Sequence, residues 1–146
     1  MAGAHRIRGH AVNRNLFAYG TLQFAAIFKA VSGLDLPGVP ATLAGFRREG
    51  VRGTVYPAIV PDPSAEVSGR LYRGLPRPAL AALDRFEGDE YRRIVRTVIT
   101  PGGDRVPACC YVIAARWRRR LDGTRWDPQA FEHLHVTAYL RRLHRE

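Results

Sequence analysis

Alternating and clustered apolar positions predict a chain built mainly from short strands. The apolar run at 15–19 stops at Gly20 and predicts a first strand. Beyond it, apolar stretches of strand length recur between glycines and prolines, and they predict strands at 41–46, 51–56, 57–60, 66–73, 91–100 and 106–114. Residues 61–64 are predicted as a turn and residues 101–104 as the loop of a hairpin. Residues 116–125 are predicted as a basic loop.

Helical spacing predicts three helices around these strands. The first covers about 22–31, with Thr21 as its N-cap. The second runs from about Pro78 to Glu87, because proline is favoured in a first helical turn. A third, capped by Asp127, is predicted to continue to about residue 143 with one apolar stripe, formed by Phe131, Leu134, Val136, Leu140 and Leu143.

The order of these elements indicates the fold class. Strands and helices do not alternate regularly, which argues against a doubly wound parallel sheet. The pattern favours an α+β fold, with a curved or closed, mostly antiparallel sheet and helices packed outside it. Residues 15–146 are predicted to form one domain, and residues 1–14, which lack periodicity, a basic disordered extension.

Composition supports a globular chain and raises a question about charge. Hydrophobic residues make up 46% and charged residues 25% of the sequence, which excludes a fibrous or largely disordered protein. The net charge is +10, and Lys29 is the only lysine among the 23 basic residues. Such an excess can serve nucleic-acid binding or attraction to anionic surfaces. Because the arginines form no continuous run, a surface solvated by arginine explains them better.

The cysteines and the apolar runs bear on compartment. Cys109 and Cys110 are adjacent, so in a strand they point to opposite faces, and a disulfide between them would be strained. They read as reduced core residues, and no Cys/His spacing predicts a metal site. No apolar run approaches the length of a membrane span, and the N-terminus lacks the apolar region of a secretory signal. We therefore expect a cytoplasmic protein without a membrane partner.

Tyr19-Gly20-Thr21-Leu22 is the first segment that can carry chemistry. It lies where a strand is predicted to turn into a helix, and Gly20 permits a close backbone approach or an unusual φ. The first N–H groups of a helix have no partner within it, so this corner can bind a carboxylate or an oxyanion. The alternative is an ordinary strand-to-helix turn.

Glu87 is the candidate acid–base residue of the second segment, Leu80 to Tyr91. Positions 80, 83 and 87 share one helical face, and two leucines direct that face towards the core. Burial and the C-terminal end of the helix dipole both raise the pKa of a carboxyl group placed there. The alternative is a glutamate that reaches solvent or pairs with Arg92 or Arg93. Of its neighbours, Asp84 can join the same face, whereas Asp89 and Glu90 are predicted to solvate a turn.

Four ordered segments make the chain resemble the gamma-glutamylcyclotransferase-like superfamily, in its AIG2-like branch. The resemblance spans about residues 15–142 and rests on the segments 17–22 (Phe-Ala-Tyr-Gly-Thr-Leu), 53–60 (Gly-Thr-Val-Tyr-Pro-Ala-Ile-Val), 83–93 (beginning Leu-Asp-Arg-Phe-Glu-Gly) and 126–140 (beginning Trp-Asp). Residues 67–72 fit a strand between the second and third. The resemblance implies a small mixed, mostly antiparallel β-barrel with flanking helices.

The resemblance also implies an activity that needs no cofactor. The loop Tyr19 to Leu22 would bind a γ-glutamyl group and Glu87 would be the acid/base, so that the substrate's α-amine closes a ring and releases 5-oxoproline and a free amine. Further candidate cavity residues, each also explicable as core, are Tyr56, Tyr91 and Tyr111.

Two other functions stay open beside this acyl transfer. One is a non-catalytic AIG2-like protein that binds a small carboxylate ligand. The other is nucleic-acid binding through the arginines; the sequence argues against it, because it contains no RNP motif, zinc finger or aromatic-interleaved basic stripe. The arginine cluster 116–120 lies outside the family pattern. The sequence leaves open the leaving amine and the oligomeric state.

Overall fold

The structure is a computed structural model, and it describes residues 13–145. Its strands are β1 Leu16–Ala18, β2 Val39–Val51, β3 Pro57–Tyr72, β4 Tyr91–Ile99, β5 Arg105–Ile113 and β6 Leu121–Arg125. Its helices are α1 Ala25–Ser32, α2 Arg77–Glu87, α3 Pro128–Leu134 and α4 Val136–Arg145. Short 3-10 turns occupy Thr21–Gln23, Gly88–Glu90 and Ala115–Arg120.

Five strands close into a mixed β-barrel. The sheet order is β3-β1-β5-β4-β2-β6, and a further pairing between β2 and β3 closes the ring. Among the strands of residues 13–145, β1 and β5 form the one parallel pair; the other pairs are antiparallel, and β6 extends the sheet from β2. The predicted α+β class and the small, mostly antiparallel barrel with flanking helices are confirmed.

Strand alternation separates two apolar layers. In β1, Phe17 points into the barrel while Leu16 and Ala18 point outward, as a period of two requires. The outward layer is covered by the helices, whose buried residues include Ile27, Phe28, Leu80, Leu83 and Phe131. The adjacent cysteines follow the same rule: Cys110 lies inside the barrel, Cys109 lies in the outer layer, and both are free and buried.

Two predicted strand breaks were wrong, because β2 and β3 form one long hairpin. Gly45 adopts φ +88° at a bulge in β2, where the register shifts between Ala44 and Phe46. Pro61 lies opposite Phe46 at that bulge, where proline disrupts the ladder least, so residues 61–64 continue β3 and form no turn. Conversely, the predicted strand 51–56 is mostly the connection between β2 and β3.

Helix ends also differ from the prediction. Thr21 caps no helix; it begins a 3-10 turn, and α1 starts at Ala25 without a side-chain cap. Asp127 does cap α3 by accepting a hydrogen bond from the Gln129 N–H at 3.0 Å. The last helix is interrupted at His135, and Leu134, predicted in its apolar stripe, is 71% exposed.

The basic segment 116–125, read from the sequence as a loop, holds a 3-10 turn and β6. Of the predicted N-terminal extension, residues 1–12 lie outside the described residues. Asn13 donates a hydrogen bond to the Pro107 carbonyl at 3.2 Å, and the Arg14 carbonyl accepts one from the Leu75 N–H at 2.8 Å. Within residues 13–145, none of the helices has the length and apolarity needed to cross a bilayer.

Candidate functional site

Helix α2 delivers Glu87 to the outer apolar layer. Leu80 and Leu83 are buried on the same helical face, and Glu87 follows one turn later. The helix ends at Gly88, whose φ of +72° is a conformation that favours glycine, and the Gly88 N–H closes the last turn on the Asp84 carbonyl. Glu87 is therefore held at the final turn by local geometry, as the periodicity predicted.

The segment Tyr19 to Leu22 approaches from the end of β1. Gly20 has an ordinary φ of −119°, but a Cβ atom there would lie 2.9 Å from Pro57 Cγ, so the close approach and not the φ requires glycine. The Tyr19 carbonyl accepts hydrogen bonds from Gln23 Nε2 and Arg48 Nη1, each at 2.8 Å. These bonds fix the segment against the barrel.

Between these two segments lies a cavity of about 140 Å³. One water needs roughly 10–15 Å³ in the same measure, so the cavity admits a molecule of amino-acid size. All eight residues predicted for the site line it: Glu87, Tyr19, Gly20, Thr21, Leu22, Tyr56, Tyr91 and Tyr111. The lining also contains residues that the sequence reading did not select: Leu16, Phe17, Ala18, Pro57, Phe86, Glu90 and Tyr139.

The predicted cavity tyrosines donate their hydroxyl protons to protein acceptors. Tyr19 donates to the Tyr111 carbonyl, Tyr91 to the Pro57 carbonyl at 2.9 Å, and Tyr111 to Asp84 Oδ1 at 2.7 Å. Burial raises the pKa of each of these phenols, and the nearby Glu87 raises it further. The phenols stay neutral and offer acceptor lone pairs, which suits a ligand that carries an ammonium group.

Glu87 differs from the two carboxylates that flank it, Asp84 and Glu90. Its carboxyl group makes no hydrogen bond or ion pair with any residue of the described range 13–145. Burial raises the pKa of Glu87 to about 8, and the negative charges of Asp84 and Glu90 add to that rise. A carboxyl group that exchanges its proton near neutral pH and faces a cavity can act as an acid or a base.

The two flanking carboxylates are both held by arginines. Asp84 Oδ1 lies 3.5 Å from Arg93 Nε, and Glu90 pairs with Arg120. Glu90 also lies 3.5 Å from the Tyr56 hydroxyl. The prediction that Glu90 solvates a turn was wrong, because Glu90 pairs with Arg120. The sequence did not indicate this pair, since the two residues are thirty positions apart.

Comparison with known proteins identifies the family of this chain. The family model described as "Gamma-glutamyl cyclotransferase, AIG2-like" matches residues 16–128. The chain belongs to this family. An AIG2-like relative, AIG2-like protein D of Arabidopsis thaliana, is 33% identical over 135 residues, covering 91% of this chain and 88% of the relative. AIG2-like protein B of the same plant is 31% identical and covers 86% of this chain and 73% of its own length.

Solved structures agree with the AIG2-like assignment. A solution structure from Arabidopsis thaliana has a TM-score of 0.70 at 26% identity, covering 92% of this chain and 82% of the other. A structure titled "Gamma-glutamyl cyclotransferase" has a TM-score of 0.63 at 18% identity, covering 91% and 87%, and it supports the shared fold. The family match ends at residue 128, so Tyr139 in the cavity wall lies beyond the matched region.

Proposed function

We propose that this AIG2-like protein is a gamma-glutamylcyclotransferase that releases 5-oxoproline and a free amine from a γ-glutamyl amine or peptide. The observation that carries the proposal is the unpartnered Glu87 carboxyl group facing an amino-acid-sized cavity. Family membership supports the same reaction class.

The walls of the cavity match the polar ends of a γ-glutamyl group. Within the described residues, the backbone N–H groups of Gly20, Thr21 and Leu22 donate to no protein acceptor, so they can hold the α-carboxylate or the γ-carbonyl oxygen. The phenol oxygens of Tyr19, Tyr91 and Tyr111 line the same cavity and supply acceptors suited to the α-ammonium.

The substrate brings its own nucleophile, so positioning provides much of the rate. Glu87 accepts a proton from the α-ammonium, and the freed nitrogen lone pair attacks the γ-carbonyl carbon to form a five-membered ring. When the amide C–N bond breaks, its electron pair goes to the leaving nitrogen, which takes a proton back from Glu87. The second proton of the former ammonium passes to the leaving amine or to solvent, and 5-oxoproline remains.

A substrate panel tests this proposal. Wild type, Glu87→Gln and the matched control Asp89→Asn, an exposed carboxylate of the same turn, are incubated with γ-glutamyl amino acids, γ-glutamyl amines and ε-(γ-glutamyl)lysine. An α-glutamyl dipeptide is the control substrate, because its amide is on the α-carboxyl group and closure of the ring onto the γ-carbon releases no amine and no free 5-oxoproline. We expect 5-oxoproline from at least one γ-glutamyl compound with wild type and Asp89→Asn, and none above background with Glu87→Gln.

Two outcomes contradict the proposal. No Glu87-dependent release across the panel removes the activity for those substrates. If calorimetry then shows tight binding of 5-oxoproline or glutamate without turnover, the protein is a small-ligand binder, the alternative that the sequence left open.

A further inference from the structure

Two carboxyl groups, those of Asp84 and Glu90, lie on either side of the catalytic candidate Glu87 in the sequence, so that the three form one cluster. Asp84 and Glu87 are one turn apart on α2, and Glu90 belongs to the 3-10 turn that follows directly. Carboxyl groups in such proximity disfavour simultaneous ionisation, so one proton is shared among them unless other groups decide where it stays.

Two arginines from other elements distinguish the three. Arg120 ends the 3-10 turn after β5 and pairs with Glu90, while Arg93 in β4 lies 3.5 Å from Asp84. Each of these two carboxylates also has a tyrosine hydroxyl beside it, Tyr56 for Glu90 and Tyr111 for Asp84. Glu87 and Glu90 both line the cavity, but within the described chain the Glu87 carboxyl group has neither kind of partner.

We propose that Arg120 and Arg93 are positioning residues that confine the exchangeable proton of this three-carboxyl cluster to Glu87. A guanidinium at ion-pair distance favours the ionised form of its carboxylate, and Arg120 and Arg93 lie at that distance from the two flanking groups. The inference deepens the proposed function and rests on it only for its catalytic consequence, which is that one carboxyl group exchanges protons with the substrate.

Burial itself favours the proton on Glu87. Apart from the cluster and its two arginines, the ionisable side chains around Glu87 lie just after β1, in the β2–β3 connection, and in β4, β5 and α4, and all are phenols: Tyr19, Tyr56, Tyr91, Tyr111 and Tyr139. Burial is the main cause that raises the pKa of each, so they are neutral over the range in which Glu87 titrates. Among the charged groups of the described chain, Arg120 and Arg93 are the ones paired with the two flanking carboxylates.

The arginines at 116–120 differ in their contacts: several lie near Trp117, and Arg120 also pairs with Glu90. The guanidinium groups of Arg116, Arg119 and Arg120 all lie about 6 Å from the Trp117 ring, at 5.8, 6.0 and 5.6 Å. Of these, Arg120 also reaches a carboxylate of the cavity wall. Arg119 is thus a matched control, since its guanidinium has the same aromatic neighbour and no ion pair with the cluster.

The test is a titration of the full chain, without substrate, followed by carboxyl carbon NMR from pH 5 to 10. Glu87→Gln and Glu90→Gln assign the two resonances. In wild type and in Arg119→Gln we expect the Glu87 resonance to titrate in one step that the Glu90 resonance does not share. In Arg120→Gln we expect both resonances to follow the same two-step curve, and in Arg120→Lys a return to the single step, because the positive charge is restored.

A Glu87 curve that is the same in wild type and Arg120→Gln overturns the inference. If Arg120→Gln does not fold, Glu90→Gln decides, since loss of the adjacent negative charge should lower the Glu87 midpoint by about one pH unit. An unchanged midpoint in that variant also overturns it. The corresponding substitution Arg93→Gln should bring the Asp84 resonance into the Glu87 titration.

The two proposals fail in different ways. If the titrations behave as expected and no 5-oxoproline forms, the proposed activity fails while the assignment of the proton stands. If 5-oxoproline release depends on Glu87 and the Arg120→Gln titration is unchanged, the activity stands and the role of the arginines fails. The pH dependence of kcat/KM connects the activity with the role of the arginines. We expect kcat/KM to rise with pH in two steps in Arg120→Gln and in one step in Arg120→Lys.

Discussion

The barrel interior and the cavity beside it share strands but differ in what they offer a ligand. Inside the barrel, side chains such as Phe17, Leu43 and Val98 fill the space with apolar surface. Outside it, where β1 and β5 meet the end of α2, phenols and carboxylates surround open volume. The closed sheet is a scaffold here, and the chemistry lies between the sheet and its covering helices.

The difference follows from how the backbone hydrogen-bonding groups of each region find partners. A closed barrel pairs its own backbone groups, so its interior can be filled with side chains that have no polar atoms. At the end of α2, by contrast, a helix terminates, a 3-10 turn follows and β1 ends, so polar groups converge that no ladder pairs. A site is easier to build at such a junction than inside the barrel.

The largest expected effect concerns the cavity. Glu87→Gln should lower 5-oxoproline release by about 10²- to 10⁴-fold, the range for removal of a general acid–base group. Its thermal unfolding midpoint at pH 7 should be no lower than that of wild type, because a half-buried amide replaces a carboxyl group that has no partner within residues 13–145. Steady-state kinetics and calorimetry on the same preparation measure both, and a large loss of stability would assign Glu87 to the scaffold instead.

The converse substitution lies in the barrel. Val98→Ala removes two methyl groups from a fully buried position and should lower the free energy of unfolding by about 2 to 3 kcal/mol, while kcat of the folded protein stays unchanged. Val95→Ala is the matched control, because the same residue type on the same strand is 47% exposed there. Urea denaturation should separate the two variants; equal effects would show that the barrel interior is not tightly packed.

The proton of Glu87 links stability to pH. Its folded pKa of about 8 lies above the ordinary value of a glutamate, so the folded state retains a proton that the unfolded state has released. The associated stability is complete below the ordinary pKa and is lost as pH rises through about 8. Between pH 5 and 9, wild type should lose about 2 kcal/mol relative to Glu87→Gln, a figure reduced from the full shift for solvent screening. Urea denaturation at several pH values tests this, and parallel pH curves would contradict it.

The smallest effect concerns the join between barrel and cavity. Gly20→Ala places a Cβ atom against Pro57, whose ring must shift, and should cost about 1 kcal/mol of stability and raise KM several-fold. Gly102→Ala is the matched control, because no heavy atom lies within 4 Å of a Cβ built there and its φ is not positive. Equal KM values for the two variants would mean that the approach of Gly20 to Pro57 does not shape the binding site.

Local signals in the sequence were sufficient for the parts of the fold that are local. Helix α2 was predicted to within a residue because Pro78 and Gly88 mark its ends, and Leu80, Leu83 and Glu87 repeat with helical period. The long hairpin was missed because the first of its strands was predicted to end at Phe46, next to Gly45, and because residues 61–64 were interpreted as a turn. Gly45 and Pro61 lie at one bulge, and only the pairing of two strands reveals a bulge.

The cavity shows the same limit. The sequence predicted the lining residues that lie within recognisable segments, such as Tyr19 and Glu87. Glu90 and Tyr139 were not selected, because their importance depends on partners brought close by the fold: Arg120 for Glu90, and the aromatic side chains of Phe86 and Phe131 for Tyr139. Whether the lining residues take part in catalysis stays a prediction.

The cavity wall draws on segments from Leu16 to Tyr139, and α4 provides the last of them. During synthesis, the five strands that close the barrel leave the ribosome well before Tyr139 does. A nascent chain can therefore complete its barrel while the cavity still lacks one wall. The protein would therefore become able to bind a ligand only after the barrel has formed. A chain that ends at Leu134 would keep the barrel but lack the cavity wall that Tyr139 provides.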